Sequence, residues 1–243
     1  MRREVGGGVT YLDENQVFYQ LIWKKDNPKF PRAIDEIYPW LSQAPVEAYG
    51  AFGIEAEFRA VNDILTKEGR KIAGQGGGSI GDCMVFVGGI LLDFDCQAMS
   101  RILKVPDEKF RDKVYKTMEA NLTTMKRELG MIPPREEVVA ALKEKIEKRV
   151  GKTTPASLNS EILGKMGQLE VWMTSPEFLL KKTPRIPIGI KIREGVELVY
   201  GPPRSREGLI RTREAISAEG IEDITTPGDL FSFKKHPLAG PEK

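Results

Sequence analysis

Three short stretches of this chain carry residues whose types and spacing could do chemistry. The first is "RREVGGG", where Arg2 and Arg3 stand just before Gly6, Gly7 and Gly8. Glycines let a backbone come close to a ligand, and guanidinium forks match carboxylate and phosphate geometry, so the stretch reads as a cradle for an anion. The second is "NDILTKEGRKIAGQGGG". Here Lys71 stands between a polar turn and a glycine-rich strand, placed to donate to a carbonyl or phosphate oxygen and offset developing negative charge. Gly74, Gly76, Gly77 and Gly78 allow close backbone approach, and Asn62 and Asp63 could position a phosphate directly or through Mg²⁺. The third is "IGDCMVFVGG", with Cys83 at the mouth of an apolar strand. A nucleophilic thiol there needs a cationic neighbour to lower its pKa from about 8.5, and Lys71 or an arginine would have to supply it. Ordinary readings stand beside each of these: a flexible lead, a solvated hairpin lysine, and a small buried core cysteine.

Composition narrows the chemistry further. The 243 residues hold one histidine, His236, and two cysteines, Cys83 and Cys96. That is too few for a disulfide scaffold, a zinc knuckle or a histidine-paired metal, and a Ser–His–Asp triad would have to recruit His236. The net charge of +2 gives no strong basic field, which argues against a nucleic-acid partner. No apolar run approaches a membrane span and no signal-peptide core opens the chain, so the expected compartment is the cytoplasm. An enzyme of this composition would work with Lys, Arg, Asp, backbone amides and at most one thiol.

The elements that must position these groups follow from patterning. "VFYQLIW" (17–23) is aromatic and β-branched and reads as a buried strand. Residues 32–48 carry apolar positions at helical spacing, and Pro39 and Pro45 predict a broken helix there. "GIEAEFRAVNDILTKEGRKIAGQGGG" alternates well enough for two or three strands, with a hairpin at "KEGRK". "CMVFVGGILLDFD" is a near-continuous apolar run and reads as a central strand. Asp95 is a plausible N-cap for a helix with Met99, Ile102 and Leu103 on one face. Asp93 and Asp95 read as a strand end leading into that cap, not as an acid/base pair. Residues 111–129 look mixed helix and loop. "REEVVAALKEKIEKRVG" follows Pro133 and Pro134, has acids early, bases late and Gly151 at the end, and every helix signal agrees. Residues 153–173 look helical in their later part. A Lys- and Pro-rich boundary follows near 181–187. Beyond it "IGIKIREGVELVY" reads as a hairpin turning at Glu194–Gly195.

As an ordered set these residues resemble the lipoate–protein ligase A family of the biotin/lipoate A/B protein ligase group. The family pattern is an Arg-Arg pair, a triple glycine and a strand ending in His-Asp, matched by Arg2-Arg3, Gly6-Gly7-Gly8 and "VTYLD" ending in Asp13, with Leu12 in place of the His. An Asn-Asp pair and a "KI-small-G" strand follow, matched by Asn62-Asp63 and "KIAG" from Lys71 to Gly74. "MSRILKVPDEKFRDK", "TTMKRELG" and "LEVWMTSPEF" are similar to later family segments, and "GIEDITTPGDLFSF" is similar to the family's accessory domain.

The resemblance implies an α+β fold: a mixed or antiparallel sheet flanked by helices, of the class II aminoacyl-tRNA synthetase/biotin-ligase type, with a small α+β accessory domain. It implies a catalytic domain over 1–182 and the accessory domain over 183–243. The family's first strands and helix have no match ahead of Arg2. The expected N-terminal truncation points to a misplaced start, to a separate polypeptide supplying that layer, or to lost catalysis; an unpaired sheet edge favours a partner or a truncation. The implied activity is ATP-dependent conversion of lipoate to lipoyl-AMP, with Mg²⁺, then acyl transfer to a lysine of a lipoyl domain of the glycine-cleavage H or 2-oxoacid dehydrogenase E2 kind. Arg2, Arg3, Gly6, Gly7 and Gly8 would line the adenylate pocket with Asp13 and Gly74. Asn62 and Asp63 would face phosphates, Asp63 with Mg²⁺, and Lys71 would grip the acyl carbonyl and bridging phosphate oxygens. Two alternatives stand: ATP-independent octanoyl or lipoyl transfer through a thioester on Cys83, and a non-catalytic subunit that binds lipoyl domains.

Overall fold

The structure is a computed structural model that describes residues 10–181, 189–193, 196–200, 213–217 and 220–225. The chain divides into two compact units, Met1–Ile186 with Ile192–Glu194, and Pro187–Lys191 with Gly195–Lys243. The first is built on five strands: β1 (Gln16–Lys24), β2 (Ala56–Arg59), β3 (Asp63–Thr66), β4 (Lys71–Ile80) and β5 (Cys83–Leu91). They form one antiparallel sheet in the order β1-β5-β4-β3-β2. The expected hairpin lies between β3 and β4, where Gly69 takes the left-handed backbone (φ 76°) that the tight turn requires. The near-continuous apolar run forms β5, held between β1 and β4, as read from the sequence.

One face of the sheet is closed by helices α1 (Ile34–Ala51) and α5 (Arg135–Val150). Their buried residues, among them Tyr49, Val138 and Leu142, pack with Val17, Ile64, Ile72 and Ile90 of the strands. A second cluster joins Trp23 and Phe86 to Ile37 and Leu41 of α1. The predicted break in α1 is not there: the helix runs through Pro39 and Pro45 without interruption. An internal proline costs about 3 kcal/mol, and here Pro45 is itself buried among Leu41, Ala44, Ala48 and Tyr49. Burial of that face outweighs the lost hydrogen bonds. Helix α5 begins and ends where predicted, with Glu136 and Glu137 in its first turn, Lys148 and Arg149 in its last, and Gly151 as cap.

The remaining helices are α2 (Cys96–Ile102), α3 (Glu108–Asn121), α4 (Met125–Leu129), α6 (Ser160–Met173) and α7 (Pro176–Leu179). Asp95 caps α2 as expected, accepting from the Ala98 N–H at 2.8 Å. The predicted shared face of Met99, Ile102 and Leu103 does not hold, since Leu103 is buried but Ile102 is 61% exposed. Helix α2 ends at Ile102, and the extended backbone at Leu103 breaks the helical spacing. The segment read as mixed helix and loop resolves into α3 and α4, capped by Asp107 and Thr124.

Strands β6 (Gly189–Arg193), β7 (Val196–Tyr200), β8 (Arg213–Ser217) and β9 (Gly220–Thr225) form a four-stranded sheet in that order. The predicted hairpin strands are β6 and β7, and their turn at 194–195 lies outside the described residues, as does most of the expected accessory domain. No helix among the described residues is long and apolar enough to cross a membrane.

Candidate functional site

The first residue of β4 is Lys71, and the first residue of β3 is Asp63. Antiparallel pairing sets Asp63 opposite Gly74, so the hairpin brings lysine and aspartate onto one side of the sheet. Lys71 Nζ lies 2.7 Å from Asp63 Oδ1. The carboxylate is 1% exposed while the lysine side chain is 22% exposed, so the ammonium is held from below and open above. Gly74 is required beneath it: a β-carbon there would come within 3.1 Å of both Cε and Nζ of Lys71. Asn62 is fastened to β4 from both sides. It accepts from the Gln75 N–H at 2.9 Å and donates from Nδ2 to the Gln75 carbonyl at 2.6 Å. Lys71, Asp63, Asn62 and Gly74, all singled out from the sequence, therefore form one constellation.

The other predicted residues fall elsewhere. Arg2, Arg3, Gly6, Gly7 and Gly8 lie outside the described residues. Asp13 sits in the turn before β1, where its Oδ1 accepts from the Asn15 N–H at 2.9 Å and from Gln16 Nε2 at 3.3 Å. The start of β1 adjoins the end of β5, and β4 starts at that same end, so Asp13 and Lys71 share one end of the sheet. Cys83 is at the other end, paired with Ile80 at the far terminus of β4. Nine strand steps at about 3.4 Å put it roughly 30 Å from Lys71, too far for the ammonium to activate the thiol. Its thiol lies 3.6 Å from Asp82 Oδ1, and Lys24 of β1 stands opposite it in the strand register.

A cavity of about 670 Å³ opens near the Lys71 end, lined by Asn15, Asp93, Cys96, Glu119, Thr123 and Arg127 among others. Lys71 and Asp63 are not in its wall, but the Thr123 N–H donates to the Lys71 carbonyl at 2.9 Å, so the cavity and the lysine share a support. Burial, with Glu119 and Asp95 nearby, pushes the Cys96 thiol up to about 11. Cys96 therefore lacks the surroundings of a thiolate nucleophile. Among the described residues no three His, Cys, Asp or Glu gather to hold a metal. Asp63 does not suit Mg²⁺ either, because its carboxylate is buried with an ammonium already on it. No step is assigned to that ion.

Several supports carried no signal in the sequence. Thr123 holds the Lys71 carbonyl from the turn between α3 and α4. Arg135 donates to the carbonyls of Glu14 and Gln16 (3.0 Å to Gln16), clamping the turn that carries Asp13. Gln75 accepts from Ser42 Oγ at 3.0 Å, and Tyr49 Oη donates to the Ile72 carbonyl at 3.0 Å. These partners are far apart in the chain and belong to no spaced motif.

The fold is an antiparallel sheet closed on one side by helices, with a lysine–aspartate pair at a glycine-bearing strand. The chain belongs to the family of the lipoyl protein ligase A/B catalytic domain, whose model matches residues 1–147. Octanoyltransferase LipM of Kyrpidia tusciae is 23% identical over 181 residues, 65% of this chain and 66% of its own length. Lipoate-protein ligase A subunit 1 of Thermoplasma acidophilum is 28% identical over 134 residues, half of each chain. This chain thus spans about half to two thirds of the curated relatives it matches. Among solved structures, a bi-partite lipoate protein ligase of T. acidophilum, studied with its E2 lipoyl domain, superposes with a TM-score of 0.63 at 23% identity over 75% of this chain and 72% of that one. A lipoate-protein ligase A bound with ATP gives 0.54 at 18% identity over 72% and 69%. These likenesses bear out the expected fold.

Proposed function

We propose that the chain is the catalytic part of an ATP-dependent lipoate–protein ligase, which makes an acyl-AMP and passes the acyl group to a lysine of a lipoyl domain. The observation that carries this reading is the Lys71–Asp63 pair, which stands at the opposite end of β4 from Cys83. In the first step a carboxylate oxygen of the acid attacks the α-phosphorus of ATP and pyrophosphate leaves. The Lys71 ammonium, fixed in place by Asp63, offsets the charge that builds on the phosphoryl oxygens. In the second step the amine of the acceptor lysine attacks the acyl carbonyl, AMP leaves, and the same ammonium polarises that carbonyl. Asp63 keeps Lys71 aimed.

The acyl tail has a floor to lie on. Gly76 and Gly78 follow Gly74 on the side of β4 away from α1, opposite Val87 and Val85 of β5. A β-carbon on Gly76 would already come within 3.2 Å of Val87 Cγ2. Phe18 and Ile22 of β1 flank Gln20 on this side of the sheet and are 48% and 64% exposed. A flat, apolar strip leading away from an ammonium suits a medium-chain carboxylic acid.

The test is a variant carrying both Cys83→Ser and Cys96→Ser, incubated with lipoate, ATP and an apo lipoyl domain of the E2 kind. Retained, ATP-dependent lipoylation is the expected result; loss of transfer would give the role to a thiol. That second reading, ATP-independent octanoyl transfer, is favoured by the relatives named octanoyltransferase LipM. The T. acidophilum ligase is bi-partite. By analogy we assign this chain a second polypeptide, and addition of one should raise the rate of transfer.

A further inference from the structure

Helix α1 meets strand β4 at two buried hydrogen bonds that flank the candidate site. Tyr49 Oη donates to the Ile72 carbonyl and Ser42 Oγ donates to Gln75 Oε1, each at 3.0 Å. Ser42 and Tyr49 stand two helical turns apart, about 10.5 Å. Ile72 and Gln75 stand three strand residues apart, about 10 Å. The two hydroxyls are therefore in step with the strand. Between their contacts lie Ala73 and Gly74, and Gly74 sits directly beneath the Lys71 ammonium.

Gln75 carries this reference across to the site through its main chain, since both its N–H and its carbonyl bond to Asn62. Asn62 leads into Asp63, the carboxylate that aims Lys71. The ladder is irregular beside this position. β3 and β4 pair Asp63 with Gly74 and Ile64 with Ala73, and a bulge or irregularity follows between Ile64 and Leu65. The two α1 contacts add side-chain anchors to β4 next to it.

The Gln75 amide is a poor stabiliser. Its Nε2 is buried and has no hydrogen-bond partner among the described residues. A buried donor left unbonded lowers stability, and replacing both partners of such a bond with apolar groups is nearly neutral or stabilising. A carboxamide kept under those terms is explained by position better than by stability. We infer that Ser42, Gln75 and Tyr49 are positioning residues, making α1 a rail that fixes Asn62, Asp63 and Lys71 for adenylate formation. This rests on the ligase reading.

The paired substitution Ser42→Ala/Gln75→Leu removes hydroxyl and amide together. The thermal midpoint should hold or rise, while kcat for acyl-AMP formation falls roughly ten- to a hundred-fold, the scale of a displacement of about 1 Å. KM for ATP should stay near its original value, and Tyr49→Phe should act in the same direction. Full kcat in the paired variant overturns the inference, as does a loss that tracks a fall in midpoint. Reductive methylation of the Lys71 amine, read by peptide mass spectrometry, runs alongside and should go faster in the paired variant. If the unmodified chain makes no acyl-AMP, the ligase reading has failed. Faster Lys71 labelling then still supports the rail, and unchanged labelling overturns it.

Discussion

Replacing Lys71 by methionine keeps most of the side chain's length and removes its charge. Two effects follow and must be separated. The chemical step loses a cation aimed at developing negative charge, a loss of about 2.7–4 kcal/mol or 10²–10³ in kcat when one such donor is removed. The fold loses the ammonium 2.7 Å from a carboxylate that is 1% exposed. Breaking a buried pair from one side costs about 3–5 kcal/mol. Lys71 is partly open to solvent and Asp63 keeps other contacts, so we expect the lower figure, about 3 kcal/mol. Against a total stability of about 5–15 kcal/mol, that lowers the thermal midpoint without unfolding the chain. Adding Asp63→Asn removes the stranded charge, so the double variant should regain most of the midpoint and none of the rate. The assay is pyrophosphate release with lipoate and ATP, normalised to the folded fraction from the melting curve. If Lys71→Met/Asp63→Asn forms acyl-AMP at the original rate, the reasoning is wrong and Lys71 is a structural lysine.

The remaining predictions concern the supports and the thiols. Gly74→Ala would put a β-carbon 3.1 Å from Lys71 Cε and Nζ. The flexible lysine must move by a few tenths of an ångström, so kcat for adenylation should fall about tenfold with little change in melting. Arg135→Ala removes the clamp on the Glu14 and Gln16 carbonyls, and urea unfolding should show a loss of about 1–2 kcal/mol. Cys96, pushed up to about 11, stays protonated at pH 8, so iodoacetamide should label it slowly there and quickly only as the pH approaches 11. The same thiol holds its proton in the folded chain after the unfolded chain has released it. Its contribution to stability should therefore fall as pH rises from about 9 towards 11, read as a midpoint that drops less in Cys96→Ser.

Much of this was legible in the residues because it is local. Strand β5 follows from a run of apolar β-formers, the β3–β4 hairpin from "KEGRK", and α5 from caps and charges that all point one way. Lys71, Asp63, Asn62 and Gly74 came from a short motif that pairing folds onto itself. What local pattern could not show was settled by packing. Pro39 and Pro45 argue for a break in α1, yet its buried face carries the helix through both. Cys83 and Lys71 are near in sequence, but a ten-residue strand separates them in space. Ser42 and Gln75 meet across 33 residues, and no periodicity joins a serine on a helix to a glutamine in a glycine-rich strand.

The activated acyl group is carried either by AMP or by a cysteine. The direct measurement is mass spectrometry of the chain and of its small-molecule products after one turnover, with lipoate and ATP in one reaction and an octanoyl-carrier protein without ATP in the other. A ligase gives acyl-AMP in the first and leaves Cys83 and Cys96 unmodified in both. An acyl adduct on either thiol, with no acyl-AMP formed, would contradict the ligase reading.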